Sequence, residues 1–190
     1  MEKSVSLDEI KSALSKMLNL IRFNHTIAVS ETALVLADRF GADRDKAYLA
    51  ALLHDCARGL DVAQTLKYCE EHGLVLDEHM KKDFNPVHAL VGADMAARRF
   101  GICDKDVLTA IGNHAVGGEN MTLLDKIIFV ADAIEPNRTG SDVYEARDAA
   151  ERDLDKAMIL ALRIKTRYIN SQEELMHPSS IRMLEKLRRV

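Results

Sequence analysis

The sequence predicts an all-α fold built as one domain. Apolar residues recur at helical spacing in segment after segment, and N-cap residues and closing glycines punctuate those segments. No alternating run of β-branched residues suggests a strand. A chain of 190 residues suits a single domain over residues 1–190 and buries roughly 70% of its unfolded surface, so it needs no disulfide staples.

The elements follow in order. Ser6-Leu7-Asp8-Glu9 reads as a capping box, with Leu7, Ile10, Leu14, Met17 and Leu18 at helical spacing. A second helix is expected from about His25 to Phe40, closed by Gly41. A third, from about Asp43 to Asp55, carries Ala47, Ala50, Ala51, Leu52 and Leu53, and its nearly continuous apolar end should be buried. Gly59 and Asp61 separate it from a helix ending at His72-Gly73, and the polar segment Leu76 to Asn85 fits a short helix or a loop. Pro86 opens a helix over Val87–Phe100 that Gly101 closes, and Asp104 caps another that reaches His114 before Gly117-Gly118. Thr122 caps the most apolar helix, Leu123 to Glu135, which ends before Pro136. After a loop and a polar helical stretch comes a long amphipathic helix. Leu154, Ala157, Met158, Ala161, Leu162, Lys165 and Ile169 mark its buried side. His177-Pro178 starts a last helix with Ile181, Leu184 and Leu187 facing inward.

Composition narrows the class. Apolar residues make up 47% and charged residues 29%, as in an ordinary soluble globular protein. The net charge of −4 supplies no basic excess to neutralise the phosphates of a nucleic-acid polymer. Cys56, Cys69 and Cys103 form no C-x-x-C pair, which excludes a cysteine zinc site. Met1 to Ser4 lead into an amphipathic segment without the apolar core of a signal peptide, and no apolar run approaches the ~18 residues that span a membrane. A cytoplasmic location without membrane contact is the expectation.

Chemistry rests on histidines and carboxylates. His72 and His79 lie in polar surroundings and read as surface residues, leaving His25, His54, His88, His114 and His177. Asp55 follows His54 at the end of a buried helix, and Asp132 interrupts the apolar run Ile127 to Ala133. Such groups are costly to bury unless something pairs with them. A shared metal ion is one partner, and a hydrogen-bonded core pair is the other. Spacing does not choose between them. No pair stands at i,i+4, and adjacent residues diverge by roughly 100° on an ideal helix, so His54 and Asp55 meet one ion only where the helix ends.

The order of these residues adds a second argument. His25, then His54-Asp55, then Asp132 gives H…HD…D, with His88 and His114 between. This resembles the HD superfamily of metal-dependent phosphohydrolases, whose fold is an all-helical bundle. Further segments narrow the likeness: Arg22-Phe23-Asn24-His25-Thr26, Ala50 to Arg58, Val87-His88-Ala89-Leu90-Val91-Gly92-Ala93, Ala110-Ile111-Gly112-Asn113-His114, Asp125 to Arg138, and His177-Pro178. Together they look like the YqeK-type family, the symmetrical bis(5′-nucleosyl)-tetraphosphatases, over a core of residues 10–185.

The resemblance implies a hydrolase that cuts diadenosine tetraphosphate into two ADP molecules. It implies one or two transition-metal ions, iron in this family, held by His25, His54, Asp55 and Asp132. His88 and His114 match positions that help hold a second ion or contact substrate phosphates. Asp55, His88, His114 and Arg138 would carry the catalysis. Arg22, Arg58 and Arg138 stand where a guanidinium can meet a phosphate. Cys56, Ala57, Ala115, Asp132 and His177 complete the implied nucleotide-binding surface, and a homodimer is the family's expected assembly. The chain departs from the family where Ala115-Val116-Gly117 replaces a Thr-Thr-Gly run and Thr139-Gly140-Ser141 replaces an aromatic and a proline. Two alternatives keep the site: an HD phosphohydrolase acting on another nucleotide, and a metal- and nucleotide-binding sensor without turnover.

Overall fold

The computed structural model describes residues 5–171 and 176–188, with residues 168–171 described by their backbone alone. In chain order the helices are α1 (Leu7–Met17), α2 (Leu20–Phe40), α3 (Arg44–Leu53), a 3-10 turn (Cys56–Gly59), α4 (Val62–His72), α5 (Val87–Phe100), α6 (Lys105–Asn113), α7 (Leu123–Ile134), α8 (Ser141–Ala150), α9 (Leu154–Ser171) and α10 (Pro178–Leu187). No strand occurs among the described residues, so the all-α expectation holds. No helix among them is long and apolar enough to cross a membrane.

Helix α7 is the axis of the packing. Its residues Ile127, Ile128, Phe129, Val130 and Ala131 are fully buried, as a helix apolar on every side must be. It packs against α2, α3, α6, α8 and α9. The Thr122 hydroxyl accepts from the Asp125 N–H, and the Asp125 carboxylate accepts in return from the Thr122 N–H. That capping box fixes where α7 begins. Around it, one contiguous apolar cluster extends from Ile10 to Met183.

Several boundaries differ from the sequence reading, and each has a local cause. Helix α2 begins at Leu20 rather than near His25, because Asn19 caps it by accepting the Arg22 N–H at 2.9 Å. His25 therefore sits in the second turn, not at the helix end. Helix α3 stops at Leu53: His54 caps it, and Asp55 leaves the helix at φ −107° and ψ 15°. Residues 78–82 and 85–86 form turns, with no helix between α4 and α5 among the described residues. In α10, Ile181 is 45% exposed, while Ser180 and Met183 turn inward. The Ser180 hydroxyl donates to the Val116 carbonyl at 2.6 Å, which rotates Ile181 out to solvent. The side chain of Ile169 lies outside the described residues.

Gly59 ends the 3-10 turn that follows Asp55, and its position is fixed by contact with the end of α1. A Cβ there would lie 2.1 Å from the Met17 carbonyl oxygen. The turn has no room for a side chain, so its glycine sets how closely the loop after Asp55 can pack. Gly59→Ala should cost about 1–3 kcal/mol by overpacking. Urea unfolding should show this as a lower midpoint at unchanged slope, and a midpoint equal to wild type would count against the close approach.

Candidate metal centre

Five helices deliver their functional side chains to one point. His25 comes from α2, His54 and Asp55 from the end of α3, His88 from the first turn of α5, His114 from the end of α6 and Asp132 from the last turn of α7. All but Asp132 are less than a tenth exposed.

Each of the four imidazoles has its Nδ1 committed. His54 Nδ1 donates to the Ala51 carbonyl at 2.6 Å, His114 Nδ1 to the Ile111 carbonyl at 2.7 Å and His88 Nδ1 to the Asn85 carbonyl at 2.5 Å. His25 Nδ1 donates to the Glu135 carboxylate at 3.1 Å. An acceptor on Nδ1 places the ring proton there, and a neutral imidazole then presents Nε2 as a bare lone pair. Those lone pairs converge on Asp55. Its Oδ2 lies 3.8 Å from His25 Nε2 and 3.6 Å from His54 Nε2, and its Oδ1 lies 3.3 Å from His88 Nε2 and 3.6 Å from His114 Nε2. His88 and His114 bring their Nε2 atoms to 3.0 Å of each other. Asp132 Oδ1 approaches His25 Nε2 at 3.2 Å.

Burial pushes the His54 imidazole down to about 4 and lowers His88 and His114 as well. For Asp55, burial pushes the acid up, but the surrounding imidazoles of His54, His114 and His88 outweigh it and hold it well below its ordinary value. For Asp132, burial again pushes up, and the Lys165 ammonium, His25, His54 and His114 together win. His54, His88 and His114 are therefore neutral nitrogen donors facing ionised oxygens.

This geometry separates the two readings that the sequence left open. Satisfied core histidines would have partners on both nitrogens. Instead His25 Nε2 and His54 Nε2 are buried without a hydrogen-bond partner, at a cost of about 1–3 kcal/mol each. Acceptor faces acceptor, and a cation between them is the natural relief. Two groups have donor atoms mutually within 4.8 Å, His25-His54-Asp55 and Asp55-His88-His114, with Asp55 common to both. Nitrogen and carboxylate oxygen donors fit a divalent transition ion.

A family model described as the HD domain matches residues 22–137. The chain belongs to the HD domain family. It is 37% identical over 91% of its length, and 92% of the relative's, to a Bacillus subtilis protein named symmetrical bis(5′-nucleosyl)-tetraphosphatase. A Halalkalibacterium halodurans protein of the same name is 39% identical over 87% of this chain and 88% of its own. A Clostridium acetobutylicum crystal structure, described as a predicted HD superfamily hydrolase involved in NAD metabolism, superposes with a TM-score of 0.91 at 35% identity, covering 97% of each chain.

Around the HD histidines and aspartates stands a ring of cations. Arg22 Nη1 pairs with Asp55 Oδ2 at 2.8 Å, and Arg58 Nε lies 3.5 Å from Asp55 Oδ1. Arg138 Nη2 lies 3.2 Å from Asp132 Oδ1. All three guanidiniums are a third to nearly half exposed. Arg22, His25, Glu135 and Arg138, with Ile21, Asn24 and Asn137, line a cavity of 410 Å³ that opens onto the centre.

Other expected site residues go elsewhere. His177 caps α10 and donates from Nε2 to Asp77 at 3.0 Å, with its ring edge-on to His79. His79, expected at the surface, is consequently only 13% exposed in its side chain. Cys56 and Ala57 are buried in the apolar core, and burial pushes the Cys56 thiol up to about 12, so neither side chain faces the cavity. Ala115 lies in the turn after His114.

Two contributors were not singled out as site residues from the sequence. Glu135 orients His25 and accepts the Asn137 N–H at 2.7 Å through its other oxygen. Arg147 holds the bend by donating to the carbonyls of Ile134, Glu135 and Arg138. A second acid three residues after Asp132, directly before Pro136, was the available signal for Glu135.

Two measurements test this centre. Glu135→Gln keeps an oxygen for the His25 ring N–H but removes the charge that makes Nε2 basic, and should weaken metal binding roughly 10–100-fold in calorimetric titration. The second is pH dependence in excess chelator. His54 titrates at about 4 when folded against ~6.5 when unfolded, so the unfolded chain binds more protons in that window and stability falls as pH falls through it. His88 and His114 act in the same direction, and Asp55 and Asp132 extend the loss at lower pH. Tm should fall steadily from pH 7 to pH 4; a flat profile between 7 and 5 would contradict the neutral, buried imidazoles.

Proposed function

We propose that this HD protein is a metal-dependent hydrolase that cleaves diadenosine tetraphosphate symmetrically into two ADP molecules, with iron as its native metal. The observation that carries the reading is the convergence of four Nε2 lone pairs on Asp55 beside a cavity walled by arginines. The names of the Bacillus and Halalkalibacterium relatives supply the substrate class.

His25, His54, Asp55 and Asp132 would hold the metal, and His88 and His114 share Asp55 with them, either for a second ion or for substrate phosphate. When bound, such an ion lowers the pKa of water toward neutrality and polarises a phosphoryl oxygen. The chain's own groups do the rest. A cavity of 410 Å³ is of the size that takes a nucleotide. Arg22, Arg58 and Arg138 can each meet phosphate oxygens with paired N–H donors. Attack on phosphorus raises the charge on the non-bridging oxygens, so a guanidinium that touches them contributes more as the reaction proceeds. Cleavage at the central P–O–P link adds the oxygen of water to one phosphorus and leaves the bridging oxygen with the second ADP.

Incubation of the purified protein with diadenosine tetraphosphate and Fe²⁺, Mn²⁺, Co²⁺ or Mg²⁺ should give ADP alone. ATP plus AMP, or no turnover with any of these ions, would overturn the proposal. His54→Ala and Asp132→Ala should lose metal by elemental analysis together with activity. Arg138→Ala should retain metal and lose about 10²-fold in kcat.

A further inference from the structure

Beyond the donor set stands Lys165, a cation near the middle of α9 that the sequence marks only as part of a buried helix face. Its ammonium makes three contacts. It donates to Asp132 Oδ2 at 2.8 Å and to the His114 carbonyl at 2.8 Å, and it lies 4.3 Å from the centroid of the Phe129 ring. Phe129 is fully buried in α7, so the ring is a fixed platform. A lysine side chain loses up to about 2 kcal/mol of rotamer entropy when it is held in one place. Contacts on three sides, from the last two turns of α7 and the end of α6, offset that loss.

The consequence concerns the orientation of Asp132. Its Oδ1 faces His25 Nε2 at 3.2 Å, whereas Oδ2 is the oxygen held by Lys165. A carboxylate with one oxygen tied to an ammonium cannot rotate freely about its last bond, and only the other oxygen remains to face the donor set. The same ammonium grips the backbone of His114, whose imidazole belongs to the second donor group. One side chain from α9 thus ties the last turn of α7 to the end of α6.

We propose that Lys165 is a positioning residue that fixes Asp132 as a single-oxygen ligand and ties it to the backbone of His114. The inference rests on the metal-centre reading. Outer partners of this kind change metal affinity when removed, typically by 10–100-fold.

The test uses the full chain stripped with chelator and titrated with Co²⁺, followed by visible absorption, with far-UV circular dichroism as the measure of fold. Lys165→Met keeps the aliphatic stem against Phe129 and removes the donor. It should bind Co²⁺ at least about 10-fold more weakly with an altered Co²⁺ spectrum and unchanged helicity. Lys165→Arg keeps a donor for Asp132 Oδ2 and should bind within a few-fold of wild type. Equal or tighter Co²⁺ binding by Lys165→Met overturns the proposal, because the lysine would then be a packing contact or a competitor for the carboxylate. Should Lys165→Met fail to fold, Lys165→Leu, which also lacks a donor, takes its place with the same two outcomes. Failure of the wild-type protein itself to take up Co²⁺ overturns the underlying metal-centre reading, a result distinct from equal binding by wild type and variant.

Discussion

One carboxylate, Asp55, meets the unprotonated edges of four imidazoles, and the surrounding fold exists to hold that meeting in place. Three of the four tautomers are set at helix boundaries, whereas His25 relies on the Glu135 carboxylate. His54 and His114 each follow the last residue of a helix, and each donates Nδ1 to the carbonyl three residues back. The last carbonyls of a helix have no intrahelical donor, so a histidine at that position satisfies one of them and at the same time points its Nε2 away from the helix. His88, in the first turn of α5, is locked in the same tautomer by the carbonyl of Asn85, just ahead of the helix. A backbone feature present at every helix end is thereby turned into a tautomer lock, without any additional side chain.

Charge around the centre is arranged in layers. Asp55, Asp132 and Glu135 provide three negative charges, and Arg22, Arg58, Arg138 and Lys165 provide four positive ones. A divalent ion added to this set leaves a positive surplus in a chain whose net charge is −4. A polyphosphate is the kind of ligand that matches such a surplus. The partly exposed arginines contribute little to stability through their carboxylate pairs, because solvent screens them. They give up little when a phosphate takes those partners over.

The sequence made the helices legible because caps and apolar spacing are local signals. Ser6, Asp104 and Thr122 cap as their side chains require. It was less informative where a tertiary contact overrides local pattern. Ile181 has the spacing of a buried residue, but the Ser180 to Val116 hydrogen bond sets the rotation of α10 and turns Ile181 outward. His79 sits in a polar segment, yet the ring of His177, about a hundred residues away, covers it. In the candidate centre, the break after Leu53 was foreseeable as the one way for His54 and Asp55 to approach a common point. The convergence of α2, α5, α6 and α7 was not, since no two donors lie one helical turn apart. Glu135 and Lys165 were harder still, because each acts through another residue and a single carboxylate or ammonium carries no spacing pattern.

The placement of Asp132 shows why the most apolar helix carries an acid at all. A carboxylate inside the run from Ile127 to Ile134 would oppose folding if it stood alone, since an unpaired buried charge is strongly destabilising. Here it stands in the last turn, where His25, Arg138 and Lys165 reach it from the neighbouring elements. Arg147 closes the chain just beyond by holding the carbonyls of Ile134, Glu135 and Arg138 across the bend. The apolar faces of α7 are what allow this. Ile127, Ile128, Phe129 and Val130 pack it rigidly against its neighbours, so the position of Asp132 is inherited from the core and not from a loop. Groups that hold an ion need such rigidity, because ligand geometry tolerates only small displacement. The arginines that would meet a phosphate sit at the rim and remain partly exposed, where they can follow a ligand whose charge shifts as it reacts. The division between a fixed interior donor set and a mobile cationic rim is what the packing of α7 makes possible.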